Sequence, residues 1–219
     1  MKKAVIFDLD GTLLNTIGDL ANACNYALKK RGLPLHGEEA YKTFVGWGIR
    51  RLVELALPAN LRSDIGLVKE VLRDVADYYG NHWNVKTRPY DGIPELLERL
   101  QKNGIKMAVL SNKPQDFTEL TVAYFFPAGY FFAVEGAKGN VLKPMPESLV
   151  PVFDKLDDKE CSKILFVGDS KTDMETAKAG KIFPVGVTWG FRKEAELVES
   201  GAKFMVHTPD ELEQFILDF

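Results

Sequence analysis

The 219-residue chain has only two cysteines, Cys24 and Cys161, and three histidines, His36, His82 and His207. Neither set falls in a Cys-x-x-Cys or mixed Cys/His spacing, which argues against a zinc site or a disulfide framework as the organising element. The chain also lacks a Lys/Arg-rich run with interleaved aromatics, and its formal net charge is −3. The electrostatic footprint of a nucleic-acid surface is therefore missing. No uninterrupted apolar stretch approaches the roughly 18 residues of a membrane span, and Lys2-Lys3 reaches Asp8 too soon to leave room for a signal peptide. The expectation is a cytoplasmic protein, monomer or homodimer, whose partner is a small molecule rather than nucleic acid or a membrane. With 46% hydrophobic residues the chain can bury a sizeable core, as one large domain or as a core carrying a smaller insertion.

What is present begins with Ala4-Val5-Ile6-Phe7-Asp8-Leu9-Asp10-Gly11-Thr12. An apolar, partly β-branched run reads as a buried strand and ends abruptly in two carboxylates and a glycine. If the extended conformation persists through Leu9, period-2 alternation puts Asp8 and Asp10 on one face. Two like charges about 4 Å apart repel by roughly 4 kcal/mol at an effective dielectric near 20, so the pair calls for a cation, a shared proton or solvent. An EF-hand loop does not fit, because a strand precedes the acids, Gly11 is misplaced and the closing Glu is missing.

Between about residues 16 and 84 the pattern is helical. Ile17, Leu20, Ala21, Cys24 and Leu28 recur at helix spacing up to Gly32-Leu33-Pro34, a second helix spans Ile49 to Leu57 after Gly46-Trp47-Gly48, and a third carries Ile65, Val68, Leu72, Val75 and Tyr79. From Tyr90 onward helices alternate with strands. Pro94 to Lys102 is a helix capped by Gly104, Ile105 to Leu110 a strand ending at Ser111-Asn112, and Ile164 to Val167 a strand ending at Gly168-Asp169-Ser170. Phe183 to Val187 and Phe204 to Val206 read as further strands, and Thr208-Pro209-Asp210-Glu211 as a capping box for the last helix. The aromatic run Phe125–Phe132 reads as a helix end and buried strand, with an exposed patch for a partner as the alternative. This alternation predicts an α/β fold, a Rossmann-like parallel-sheet core (1–15 and 85–219) with an inserted all-α domain (16–84).

In an open parallel sheet ligands bind at the carboxyl ends of the strands, where this reading puts Asp8, Asp10, Ser111 and Asp169. Asp173 lies one helical turn beyond Asp169, and Lys143, in the proline-stiffened Leu142-Lys143-Pro144-Met145-Pro146, can bring an ammonium to the carboxylates.

These residues resemble the haloacid dehalogenase superfamily. Asp8-Leu9-Asp10-Gly11-Thr12-Leu13 looks like its first motif, Ser111-Asn112-Lys113 its second, Lys143-Pro144 its third, and Gly168-Asp169-Ser170 with Asp173 its fourth, and the insertion resembles the helical cap of one branch. The resemblance implies a magnesium-dependent phosphatase of small phosphorylated metabolites. In it Asp8 is the nucleophile that forms an aspartyl-phosphate, and Asp10 the general acid and base. Mg2+ sits on Asp8, the Asp10 main-chain carbonyl and Asp169, with Asp173 orienting them, while Thr12, Ser111, Asn112 and Lys143 hold the phosphate. Residues 44–52 and 187–191 look like segments of phosphoglycolate phosphatases, which makes Trp47 and Arg50 candidates for substrate recognition by the cap and 2-phosphoglycolate the leading substrate. Asn15 departs from the Asp often found there. A sugar-phosphate phosphatase or a phosphohexose mutase of the same superfamily is the alternative enzyme, although Leu20 stands where the best-known mutase branch carries histidine; a non-catalytic phosphate-sensing module is the alternative of another class.

Overall fold

The computed structural model describes residues 3–156 and 163–219. Cys161 lies outside them, and Cys24 is a buried free thiol. Along the chain the elements are β1 (Lys3–Phe7), β2 (Leu14–Asn15), α1 (Ile17–Lys29), α2 (Glu38–Phe44), α3 (Ile49–Ala56), α4 (Ile65–His82), β3 (Arg88–Pro89), α5 (Ile93–Lys102), β4 (Lys106–Pro114) and α6 (Gln115–Phe125). They continue with β5 (Phe131–Ala137), α7 (Val150–Asp154), β6 (Lys163–Gly168), α8 (Lys171–Ala179), β7 (Phe183–Val187), α9 (Glu194–Ser200), β8 (Phe204–Val206) and α10 (Pro209–Asp218). Two compact units result, residues 1–14 with 89–219, and residues 15–88.

The first unit is a six-stranded parallel sheet in the order β5-β4-β1-β6-β7-β8. β1 is central because both of its faces are apolar. Val5 and Phe7 pack with Met107, Val109, Leu165 and Val167 beneath Leu96 and Leu100 of α5 and Leu212 and Ile216 of α10. Ile6 points the other way, into Ala108, Phe166, Val152 of α7 and Ala177 of α8. A strand covered by helices on both sides must read as a continuous apolar run, as Ala4–Phe7 does. The aromatic run enters the same core: Phe126 and Phe131 pack on the first face and Phe132 on the second.

Two local readings change. β4 continues through Ser111 and Asn112 to Pro114 instead of ending before them, because its register against β5 shifts: Leu110 faces Glu135 and Pro114 faces Ala137, four positions against two. Such a bulge keeps the strand paired while re-aiming the side chains within it. At the last helix, Thr208 accepts from Glu211 N–H, but Glu211 reaches back to the N–H of His207 rather than Thr208, so only half of the capping box forms.

The second unit adds a helix the periodicity does not reveal, α2, whose one buried residue is Tyr41. α1 and α4 bury Leu20, Cys24, Leu28, Val68, Val71 and Val75. The buried Asp19 of α1 accepts from the N–H of Lys86 at 2.9 Å, the N–H of Thr87 at 2.8 Å and the Thr87 hydroxyl at 2.8 Å. It thereby fixes the returning chain two residues before β3.

Candidate active site

β1 delivers Asp8 to the carboxyl edge of the sheet, its N–H still on the ladder through Val167 C=O at 2.9 Å. β6, the next strand, delivers Asp169 to the same edge. Asp173 follows in the first turn of α8, where it closes a capping box: the Ser170 N–H and hydroxyl both donate to its Oδ2, at 3.0 and 2.6 Å. One carboxylate oxygen from each of Asp8, Asp169 and Asp173 lies within 4.8 Å of the others, and all three residues are buried. Glycines make room for this crowding. A Cβ on Gly11 or Gly190 would collide with the Asp169 carboxylate, and one on Gly168 with Asp173. Gly11 also sits at φ 95°, where other residues are strained.

Lys143 answers the cluster. Its Nζ is 2.7 Å from Asp8 Oδ1 and 2.7 Å from Asp173 Oδ1, in a side chain 2% exposed. Burial alone would lower its pKa, but Asp173 and Asp8 outweigh that and hold the ammonium firmly charged. One ammonium does not neutralise three acids. Burial first, then the Asp173 charge, pushes Asp8 well above the usual carboxylate range against the pull of Lys143. Burial and Asp173 likewise raise Asp169 to about 7, although the Phe191 N–H, 2.6 Å from its Oδ2, acts in the opposite direction.

Asp10 stands apart from the triad. Its oxygens lie 3.0 and 3.3 Å from Nζ of Lys113, a side chain 4% exposed. Counting these residues alone, four carboxylates (Asp8, Asp10, Asp169, Asp173) face two ammoniums (Lys113, Lys143), which leaves two negative charges over. Hard oxygen donors with that residual charge fit a divalent metal ion of the hard class.

The other candidates are placed as follows. Thr12 is fully buried, its hydroxyl donating to Asp169 Oδ1 at 3.4 Å. Ser111 is 3% exposed and its Oγ accepts from Lys113 N–H at 3.2 Å. The Asn112 amide bonds the Lys143 main chain at both ends, accepting from its N–H at 2.7 Å and donating to its C=O at 3.0 Å. It thus ties the β4 bulge to the loop that carries Lys143. In the helical unit, Trp47 is 39% exposed and Arg50, in the first turn of α3, donates to Glu54 Oε1 at 3.1 Å on its own helix.

Sequence reasoning missed the partnership of Lys113 with Asp10 and the role of Trp189-Gly190-Phe191. Trp189 Nε1 donates to Thr12 C=O at 3.0 Å, and Gly190 and Phe191 wall and bond Asp169. No local pattern announces either, because both join residues far apart in the chain.

The family model for haloacid dehalogenase-like hydrolases matches residues 5–187. Phosphoglycolate phosphatase from Mesorhizobium japonicum is 33% identical over 189 residues, 85% of this chain and 83% of that protein. The Haemophilus influenzae phosphoglycolate phosphatase is 34% identical over 204 residues, 90% and 91% of the two chains. Among solved structures, a predicted phosphoglycolate phosphatase from Haemophilus somnus 129pt superposes with a TM-score of 0.88 at 28% identity, over 98% of this chain and 97% of that one.

Proposed function

We infer the reaction from a fixed premise: the chain belongs to the haloacid dehalogenase-like hydrolase family and is a phosphoric monoester hydrolase. It hydrolyses small phosphomonoesters in two displacements at Asp8, with 2-phosphoglycolate the favoured substrate. The observation that carries this reading is the buried triad Asp8, Asp169 and Asp173 bridged by Lys143. The substrate rests on the phosphoglycolate phosphatases that this chain resembles along most of its length.

A carboxylate oxygen of Asp8 attacks phosphorus, the ester P–O bond breaks, and the departing oxygen takes a proton from Asp10. Water then attacks the aspartyl-phosphate, Asp10 takes its proton, and inorganic phosphate leaves with Asp8 restored. Lys143 and Ser111 hold the phosphate oxygens, with Thr12 beside them. Asn112 serves that set through Lys143, whose main chain it grips. Asp8, the Asp10 main-chain carbonyl and Asp169 hold Mg2+, with Asp173 orienting them; when bound, the ion supplies positive charge to the phosphoryl oxygens. The helical unit, residues 15–88, acts as a cap, with Arg50 and Trp47 reading the carboxylate of the substrate.

The test is phosphate release from 2-phosphoglycolate, hexose phosphates and nucleotides, with magnesium or chelator, by wild type and Asp8→Asn. Magnesium-dependent release that the substitution abolishes, greatest with 2-phosphoglycolate, is the expected result. Transfer to a second sugar phosphate instead of release would favour a mutase. A folded protein inert on every ester would favour phosphate sensing.

A further inference from the structure

A second cleft, of about 810 Å³, opens on the sheet edge opposite the acid triad. It lies where β6 and β7 begin and where the chain enters β8, and its lining includes Lys163, Lys178, Lys181, Lys203, Phe183 and Phe219. Its size is that of a metabolite site. Among the described residues no aspartate or glutamate side chain lines it, in a chain where acids outnumber Lys and Arg 31 to 28, and the main-chain oxygen of Phe219 in its wall accepts from Lys163.

The lysines converge from separate elements. Lys178 lies in the last turn of α8, Lys181 just beyond it at φ 56°, and Lys203 between α9 and β8. All three are exposed, and none makes an ion pair or side-chain hydrogen bond among the described residues. Lys178 runs across Gly201, at φ 103°, where any Cβ would strike its stem. Lys203 sits 5.7 Å over the Phe183 ring and Lys163 5.2 Å over the Phe219 ring. The plain account of such lysines is the attraction of cations to helix C-termini. That account explains each residue where it stands, but not the gathering around one cleft of Lys178, Lys181 and Lys203, three ammoniums without an ion-pair partner among the described residues.

We propose that this cleft is a binding site for a polyphosphate group, separate from the hydrolytic crevice. Three spaced ammoniums match an extended anion of several charges better than a single carboxylate. A linear pyrophosphate and the chain of a nucleoside triphosphate share this chemistry. They differ in the flat apolar base, which the phenyl rings of the cleft would meet.

Calorimetric titration of the full chain with pyrophosphate and with ATP, in chelator, compares wild type with the triple variant Lys178→Gln, Lys181→Gln, Lys203→Gln. The expected result is a saturable site weakened at least about thirtyfold in the variant, with Tm and phosphate release from 2-phosphoglycolate unchanged. Tighter binding of ATP than of pyrophosphate identifies a nucleotide, and equal binding the polyphosphate alone; both uphold the site. Equal affinity in wild type and variant, or no binding of either probe to wild type, overturns it.

Discussion

Asp19 of the helical unit and Asp169 of the sheet unit are both almost wholly buried, 2% and 1% exposed, yet they are treated in opposite ways. Asp19 is surrounded by donors: two main-chain N–H groups and a hydroxyl converge on one carboxylate. Asp74, also in the helical unit, meets Lys30 at 2.6 Å and Arg31 at 2.5 Å, and the hydrogen bond from Lys30 leads the forces that hold its pKa below the usual range. Asp169 receives one short N–H and one long hydroxyl contact, and shares its pocket with two more carboxylates. A buried acid that serves only the fold is fully compensated, since an unpaired one is costly. The triad keeps negative charge uncompensated, which suits a site whose ligand supplies the balance.

The sharpest contrast comes from removing one acid of each kind. Asp8→Asn is expected to lower kcat by about a thousandfold or more in a phosphate-release assay, while Tm holds or rises because a crowded charge is gone. Asp19→Ala should do the reverse in kind, costing roughly 2–4 kcal/mol of unfolding free energy by orphaning the donors on Lys86 and Thr87, with Asp19→Asn costing less. Denaturant titration gives both values, and a smaller loss in Asp19→Ala than in Asp8→Asn would break the comparison.

Titration sharpens it further. Asp8 and Asp169 have folded pKa values above their unfolded ones, so the folded state favours their protonated forms. Their contribution is complete below the unfolded value of 3.8 and is lost as pH rises through about 7 for Asp169. The lowered acids Asp74 and Glu135 act in the opposite sense, but only as pH falls toward their ordinary values of 3.8 and 4.5. In chelator, Tm should therefore fall between about pH 5 and pH 7.5, and magnesium should flatten that slope. A metal-free Tm that rises over this interval would contradict the crowding described here.

Smaller effects follow at the margins. Trp189→Phe removes the donor to Thr12 C=O and should cost about 1 kcal/mol, with less than a tenfold fall in kcat/KM. Arg50→Ala removes an exposed pair with Glu54 and should change stability by no more than about 0.5 kcal/mol. Its effect belongs in KM for 2-phosphoglycolate, and an unchanged KM would remove Arg50 from substrate recognition.

What could be read from the sequence follows from the range over which each feature is encoded. β7 and β8 match their apolar runs residue for residue: β7, buried along most of its length, announces itself locally, and β8, at the sheet edge, is marked by three apolar residues between polar neighbours. The aspartates at the ends of β1 and β6 were legible because charge at the end of such a run is conspicuous. α2 was not, because seven residues with one buried side chain leave no periodicity to find. The continuation of β4 depended on its register with β5, and the Lys113–Asp10 pair on residues 103 apart. The tie from Trp189 to Thr12 spans 177 residues, and no local pattern encodes a partner so distant.

The central position of β1 bears on how the chain is made. β1 leaves the ribosome before both of its neighbours, β4, opposite at Ala4 and Lys106, and β6, opposite at Lys3 and Lys163. The contiguous helical unit, residues 15–88, is synthesised before either neighbour exists. During translation the strand that carries Asp8 therefore waits unpaired until residues about 100 and then about 160 positions later emerge, a long-range closure of the slow kind. Nascent chains stalled before β6 should accordingly protect the helical unit from proteolysis while leaving β1 open to it.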